Sequence, residues 1–190
     1  MTSLHFIRHA ETDMAGRFCG HSDPPINAIG VQQICRLAES IQPASIHAIY
    51  CSDLRRAVVT AEALAKTFAV PIIRRRNLRE IDFGDWEGLS WNEIELRDPT
   101  YASNWIKDFP NLSAPGGEPF ADFEMRVWDE IEELLSFARF GRIAVVTHAG
   151  VMRVALRRFF NCSEQEAWSR TEAYCSSFVF EDVATPQEVA

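Results

Sequence analysis

The chain has no apolar run of membrane-spanning length. Its longest, around Ile143 to Val146, suits a buried strand. Its start, MTSLHFIRHAET, has no basic region followed by a long apolar stretch, so a secretory leader is not expected. It has no CxxC pair. The five cysteines, Cys19, Cys35, Cys51, Cys162 and Cys175, stand apart and are odd in number. That pattern predicts reduced thiols in a cytoplasmic setting, with neither a disulfide framework nor a zinc site. HExxH is also missing, and the histidines His5, His9, His21, His47 and His148 are scattered, so nothing in the sequence calls for a metal or a cofactor. Positive charge is in deficit: the formal net charge is -8. That weighs against a nucleic-acid partner, which needs a positive field, but not against a small anion held by a few convergent arginines. No repeat, low-complexity tract or linker interrupts the 190 residues, so one domain over 1–190 is expected. The oligomeric state is left open, a homodimer included.

What is present is an alternation of short apolar runs and amphipathic stretches. Leu4 to Ile7, Ile46 to Cys51, Val70 to Arg74, Ile143 to Thr147 and Ser177 to Glu181 read as strands. Gly30 to Ile41 reads as a helix, with Ile34, Leu37 and Ile41 at helical spacing. Another helix, with Ala57, Ala61 and Leu64 inward, is expected after a cap at Ser52 or Asp53. Helices are also expected from about Pro119 to Phe137 and from Val151 to Phe160. The stretch 83–122 is irregular and rich in aromatics, and a small cap insertion is expected there. The tail beyond Glu181 is expected to fray. The pattern predicts an α/β/α three-layer sandwich with a mostly parallel sheet, whose ligands bind beyond the carboxyl ends of the strands.

Chemistry-bearing residues cluster at those ends. The first strand stops at Arg8-His9, the second just before Asp53-Leu54-Arg55-Arg56, and a later one at Thr147-His148. Glu80 follows the third strand closely. Two imidazoles, arginines and one carboxyl group suit phosphoryl transfer. Guanidinium forks neutralise phosphate oxygens, a neutral imidazole attacks phosphorus, and a carboxyl group serves the leaving oxygen. Each residue alone has a plainer reading: a satisfied polar histidine, a solvated Arg-Arg pair, a glutamate paired with Arg79 or Arg76. Spacing alone supports an anion site and no more.

The motifs go further. FIRHAET at Phe6 to Thr12 resembles the RHGET signature of the histidine phosphatase superfamily, the phosphoglycerate mutase-like fold. GHSDPPINAIGVQQ from Gly20, SDLRRAVVTAEAL from Ser52, LREIDFGDWEG from Leu78, APGGEPFADFEMRV from Ala114 and VVTHAGVMR from Val145 follow in family order. The resemblance implies a metal-independent phosphomonoesterase in which His9 is phosphorylated. It implies that Arg8 and Arg56 clamp the phosphate, that Glu80 gives and later takes a proton, and that His148 binds the phosphate oxygens. The amide of Ala149 and residue Gly20 are further phosphate contacts by the same reasoning. Four features depart from the usual pattern: Ala10 and Ala149 replace glycines, Asp53 stands where proline is frequent, and the asparagine usual shortly after RHGET is lacking, with Ala15 near its place.

Within the superfamily, the chain's shortness favours a phosphatase over a mutase, whose relatives carry extra segments that close over the phosphoenzyme. The segments FGDWEG and NWIKDFPNLSAPGGEPFADF resemble those of alpha-ribazole phosphatases of cobalamin synthesis, which implies a small phosphorylated metabolite as substrate. The other readings are a broad-specificity sugar-phosphate phosphatase, a phosphoglycerate mutase, and an inactive phosphate-binding module. Four of the five tryptophans, Trp86, Trp91, Trp105 and Trp128, lie between residues 86 and 128. They suit either stacking on a planar base or a small core for the cap.

Overall fold

The computed structural model describes residues 2–41 and 46–182. Five strands form one sheet: β1 (Thr2–Arg8), β2 (Ile46–Ser52), β3 (Ile72–Arg75), β4 (Arg142–Thr147) and β5 (Ser177–Asp182), in the spatial order β3-β2-β4-β1-β5. All neighbouring pairs are parallel except β1 with β5. The expected frayed tail, from 183 onward, lies outside the described residues.

The central strands β1 and β4 are buried on both faces, and the alternation along the strands builds two cores. Leu4, Phe6, Ile143 and Val145 pack under α5 (Phe120–Phe137) and α6 (Ala149–Phe160). Ile7, Ile49, Ala144 and Val146 face the opposite way, toward α1 (Ala28–Ser40) and α2 (Arg55–Phe68). Successive residues of β4 therefore enter opposite cores, as a period of two requires. The result is the expected three-layer α/β/α sandwich. Among the described residues no helix is long and apolar enough to cross a membrane.

Most boundaries shift by a residue or two. One expectation needs correction: neither Ser52 nor Asp53 caps α2. Leu54 is the capping position and makes no side-chain cap. The Ser52 hydroxyl accepts from the Leu54 amide, and the Asp53 carboxylate is taken by a two-pronged bond from Arg79 at 2.6 and 2.8 Å. A charged fork outcompetes a neutral amide for the same carboxylate.

The 83–122 stretch is more regular than its composition suggests. It holds α3 (Trp91–Arg97) and α4 (Pro99–Asp108). A reciprocal capping box between Ser90 and Glu93 starts α3, and Asp98 with Pro99 behind it starts α4. Helix α7 (Glu164–Thr171) begins with the same box, from Ser163 and Glu166. These S-x-x-E and D-P signals are readable in sequence. The helices they start are short, so apolar periodicity does not reveal them.

Register brings the site together. Arg8 stands opposite Thr147 in the β1–β4 ladder, so both strands end at one level. The chain leaves β1 for α1 on one face and β4 for α6 on the other. Adjacent strands with opposite exits leave a crevice at their carboxyl ends.

Candidate active site

His9 and His148 emerge side by side at that crevice, their ring centroids 5.0 Å apart. Both are buried. The His9 Nδ1 lies 2.7 Å from the Ala10 carbonyl, which can only accept, so Nδ1 carries the proton and Nε2 keeps its lone pair. Arg56 donates its Nε–H to that Nε2 at 3.3 Å. Burial first, then the charge of Arg56 and less strongly that of Arg8, pushes the His9 pKa well below its ordinary value of 6.5, while the Ala10 carbonyl pulls partly back. The imidazole is therefore neutral, as a nucleophile must be. Ala10 has no left-handed backbone angle, so nothing there demands the usual glycine. Its amide is held by Thr60 Oγ1 at 3.1 Å.

Arg56 is fully buried. Its Nη1 donates to the Ser22 carbonyl at 2.6 Å, and its Nη2 to the carbonyls of Gly20 at 2.7 Å and Cys19 at 3.2 Å. Those carbonyls orient the guanidinium without cancelling its charge. Arg8 is fixed differently. Its Nη1 donates to the carbonyls of Thr171, at 2.9 Å, and Glu172, and its guanidinium lies 4.0 Å over the Tyr174 ring. The buried Arg8 Nε has no partner among the described residues.

His148 is the N-cap residue of α6, yet its side chain makes no cap bond. Both ring nitrogens are buried and unpartnered among the described residues. Burial, then Arg56, His9, Arg8 and Arg126, drives its pKa well below 6.5. A buried polar ring without partners costs stability unless a ligand satisfies it. The amide of Ala149, first of α6, belongs to the set of N–H groups that have no intrahelical acceptor.

Glu80 does not pair with Arg79 or Arg76. Its Oε2 accepts from the Gly150 amide at 2.9 Å and its Oε1 from the Ile81 amide at 3.0 Å. A Cβ on Gly150 would lie 2.1 Å from Glu80 Oε1, so only glycine lets the carboxylate settle on the helix. The Glu80 carbonyl is anchored by Arg126 Nη2 at 2.9 Å and His21 Nε2 at 3.1 Å.

Gly20 sits differently from the expected phosphate contact. Its amide is spent on Glu87 and its carbonyl on Arg56. It holds the clamp and presents no donor of its own. The residue behind this arrangement, Glu87, was passed over in the sequence. Its carboxylate accepts the amides of Gly20, His21 and Ser22 at 2.8 to 3.2 Å and that of Phe83 at 3.1 Å. Four donors converging on one carboxylate are legible only in three dimensions. Glu87→Ala is expected to loosen the 20–22 loop and lower kcat/KM up to about 100-fold, with weaker inhibition by inorganic phosphate. Glu87→Gln should recover part of the loss. Unchanged phosphate inhibition in the alanine variant would show that the loop does not control Arg56.

A cavity of about 490 Å³ opens beside Glu80 and Gly150. Its lining includes the aromatic residues Trp91, Trp105, Phe109 and Phe120, and Arg153, Arg157 and Trp168 from α6 and α7. Trp86 is instead buried in the small core of the 83–122 stretch, and Trp128 lies on α5 against Phe159. Trp168, outside the expected aromatic cluster, does reach the cavity.

A family model described as histidine phosphatase superfamily (branch 1) matches residues 4–183. The Escherichia coli protein named adenosylcobalamin/alpha-ribazole phosphatase is 30% identical over 179 residues, covering 93% of this chain and 88% of the relative. The Arabidopsis thaliana protein named metal-independent phosphoserine phosphatase is 33% identical over 168 residues, covering 86% and 71%. The crystal structure of the alpha-ribazole phosphatase from Shigella flexneri superposes with a TM-score of 0.84 at 27% identity, covering 94% of this chain and 90% of that one.

Proposed function

This chain belongs to the histidine phosphatase superfamily (branch 1) and is a phosphoric monoester hydrolase, and we propose that it works through a phosphohistidine at His9, without a metal, on alpha-ribazole 5′-phosphate. His9 Nε2 attacks phosphorus in line with the departing ester oxygen. Arg8, Arg56 and His148 hold the phosphoryl oxygens and take up the charge that a metal takes up in other phosphatases. The P–O bond breaks as Glu80 gives its proton to the leaving alkoxide. Water then attacks the phosphohistidine, Glu80 takes its proton, and the P–N bond breaks to release inorganic phosphate and neutral His9. The observation that carries this reading is the pair of His148 nitrogens, buried and unpartnered among the described residues, beside a His9 whose Nδ1 proton faces the Ala10 carbonyl, so that its lone pair stands on Nε2, where Arg56 Nε donates.

Support for the substrate comes from the cavity. Its volume suits a small ligand, and its walls are largely aromatic. A benzimidazole base is flat, apolar and large enough to stack there. The relatives named for alpha-ribazole cover most of this chain, while the Arabidopsis relative is named for phosphoserine. The test is kcat/KM for alpha-ribazole 5′-phosphate, phosphoserine, 3-phosphoglycerate and fructose bisphosphate, each with and without a chelator. Alpha-ribazole 5′-phosphate is expected to lead by about 10-fold or more, with no effect of the chelator. A lead by any of the others would replace the substrate assignment, and loss of turnover on chelation would remove the metal-free mechanism.

A further inference from the structure

Arg153 stands one helical turn beyond Gly150 on α6, on the face that carries Glu80's contact. It is held on two sides. Its Nε donates to Thr171 Oγ1 at 3.0 Å, and its guanidinium carbon lies over the Trp168 ring, 3.7 Å from the centroid. Its two Nη groups make no hydrogen bond among the described residues, and no carboxylate pairs with it there. Its neighbour Arg157 faces Glu124 at 3.6 Å and Glu164 at 4.0 Å. Arg153 is thus a half-buried, oriented donor pair that borders the cavity with its edge unused. Holding a long cation rigid costs side-chain entropy, which a ligand contact offsets.

The cavity border indicates what that edge takes. Glu80, Asp82, Glu118 and Glu164 border the same space. Glu118 is paired with Arg126 at 2.6 Å, Asp82 lies 3.1 Å from His21 Nδ1 and Glu164 4.0 Å from Arg157, which leaves Glu80 as the carboxylate without an ion pair there among the described residues. A leaving group bearing its own carboxylate would face Glu80 as a like charge, whereas a neutral polyol would not. The aromatic residues of the same lining ask for an apolar surface on the rest of the ligand.

We propose that Arg153 is a specificity residue that donates its two Nη groups to the vicinal hydroxyls of a pentose, the alcohol whose primary oxygen Glu80 protonates. The contact rests on the nucleoside 5′-phosphate reading above but not on the identity of the base. It makes the diol, not the phosphate, the feature that separates nucleoside phosphates from simple alkyl phosphates.

The measurement is the ratio of kcat/KM for a ribonucleoside 5′-phosphate to that for its 2′,3′-dideoxy counterpart. It is taken with both alpha-ribazole 5′-phosphate and adenosine 5′-phosphate, for the wild type, Arg153→Met and Arg153→Lys. The wild-type ratio is expected at roughly 10 to 100, the size of a hydrogen bond to a charged donor. In Arg153→Met it should fall to within about threefold of unity, and Arg153→Lys should lie between. Because each ratio is internal to one protein, a general loss of activity through Thr171 and Arg8 cancels. A wild-type ratio near unity overturns the proposal, and so does a ratio that survives in Arg153→Met. A wild-type preference for phosphoserine that Arg153→Met abolishes overturns it too, in favour of a carboxylate. Should the benzimidazole assignment fail, the adenosine pair still reads the diol contact on its own.

Discussion

His9→Ala is expected to lower kcat/KM for 4-nitrophenyl phosphate by about 10⁴-fold or more and to abolish phosphoenzyme formation. The size follows from the role. The Nε2 lone pair accepts the Arg56 Nε–H at the crevice floor, and alanine leaves no atom there to attack phosphorus. Rapid-quench trapping with labelled substrate should show an acid-labile, alkali-stable phosphoramidate in the wild type and none in the variant. Residual turnover near the wild-type rate would end the phosphohistidine mechanism. The pH profile carries a sign as well. A nucleophile must be neutral, and burial with Arg56 holds the His9 pKa well below 6.5. Protonation of free His9 is therefore expected to cost no rate between pH 8 and 6.5, and its acid limb should fall below the ordinary histidine range. A limb centred at 6.5 or above that belongs to His9 would contradict the depressed pKa.

Glu80→Gln is the second large effect. It should slow alkyl phosphates by about 10²- to 10⁴-fold, while 4-nitrophenyl phosphate loses far less. The glutamine keeps the shape, and its single carbonyl oxygen can still accept one of the Gly150 and Ile81 amides, but it has no proton to give an alkoxide. A nitrophenolate leaves without that proton. Accumulated phosphoenzyme with the activated ester would show that attack survives and that water activation has become slow. Equal slowing of both esters would assign Glu80 to binding alone.

Much of the site was legible in the linear chain. Arg8-His9, Arg56, Glu80 and Thr147-His148 each follow a strand that its apolar run betrays, and the motifs stand in family order. Four parallel strands that end at one edge of the sheet leave few places for those residues to go. The aromatic stretch was legible only in part, since Trp91 and Trp105 reach the cavity but Trp86 and Trp128 do not. Composition states how many rings there are, not which way each helix turns them.

The chain's own letters determined the chemistry on offer: imidazoles, guanidiniums and a carboxyl at strand ends, because side-chain identity and a period of two are local properties. Tertiary structure alone decided how they are held and what they face. Arg8 is anchored to Thr171, 163 residues away. Arg56 is oriented by a loop that Glu87 gathers from 65 to 67 residues off. Arg153 is laid against Trp168 by the packing of α6 on α7. Such pairings are set when helices and loops dock on the sheet, and no local pattern of residues encodes which distant carbonyl or ring a side chain will meet.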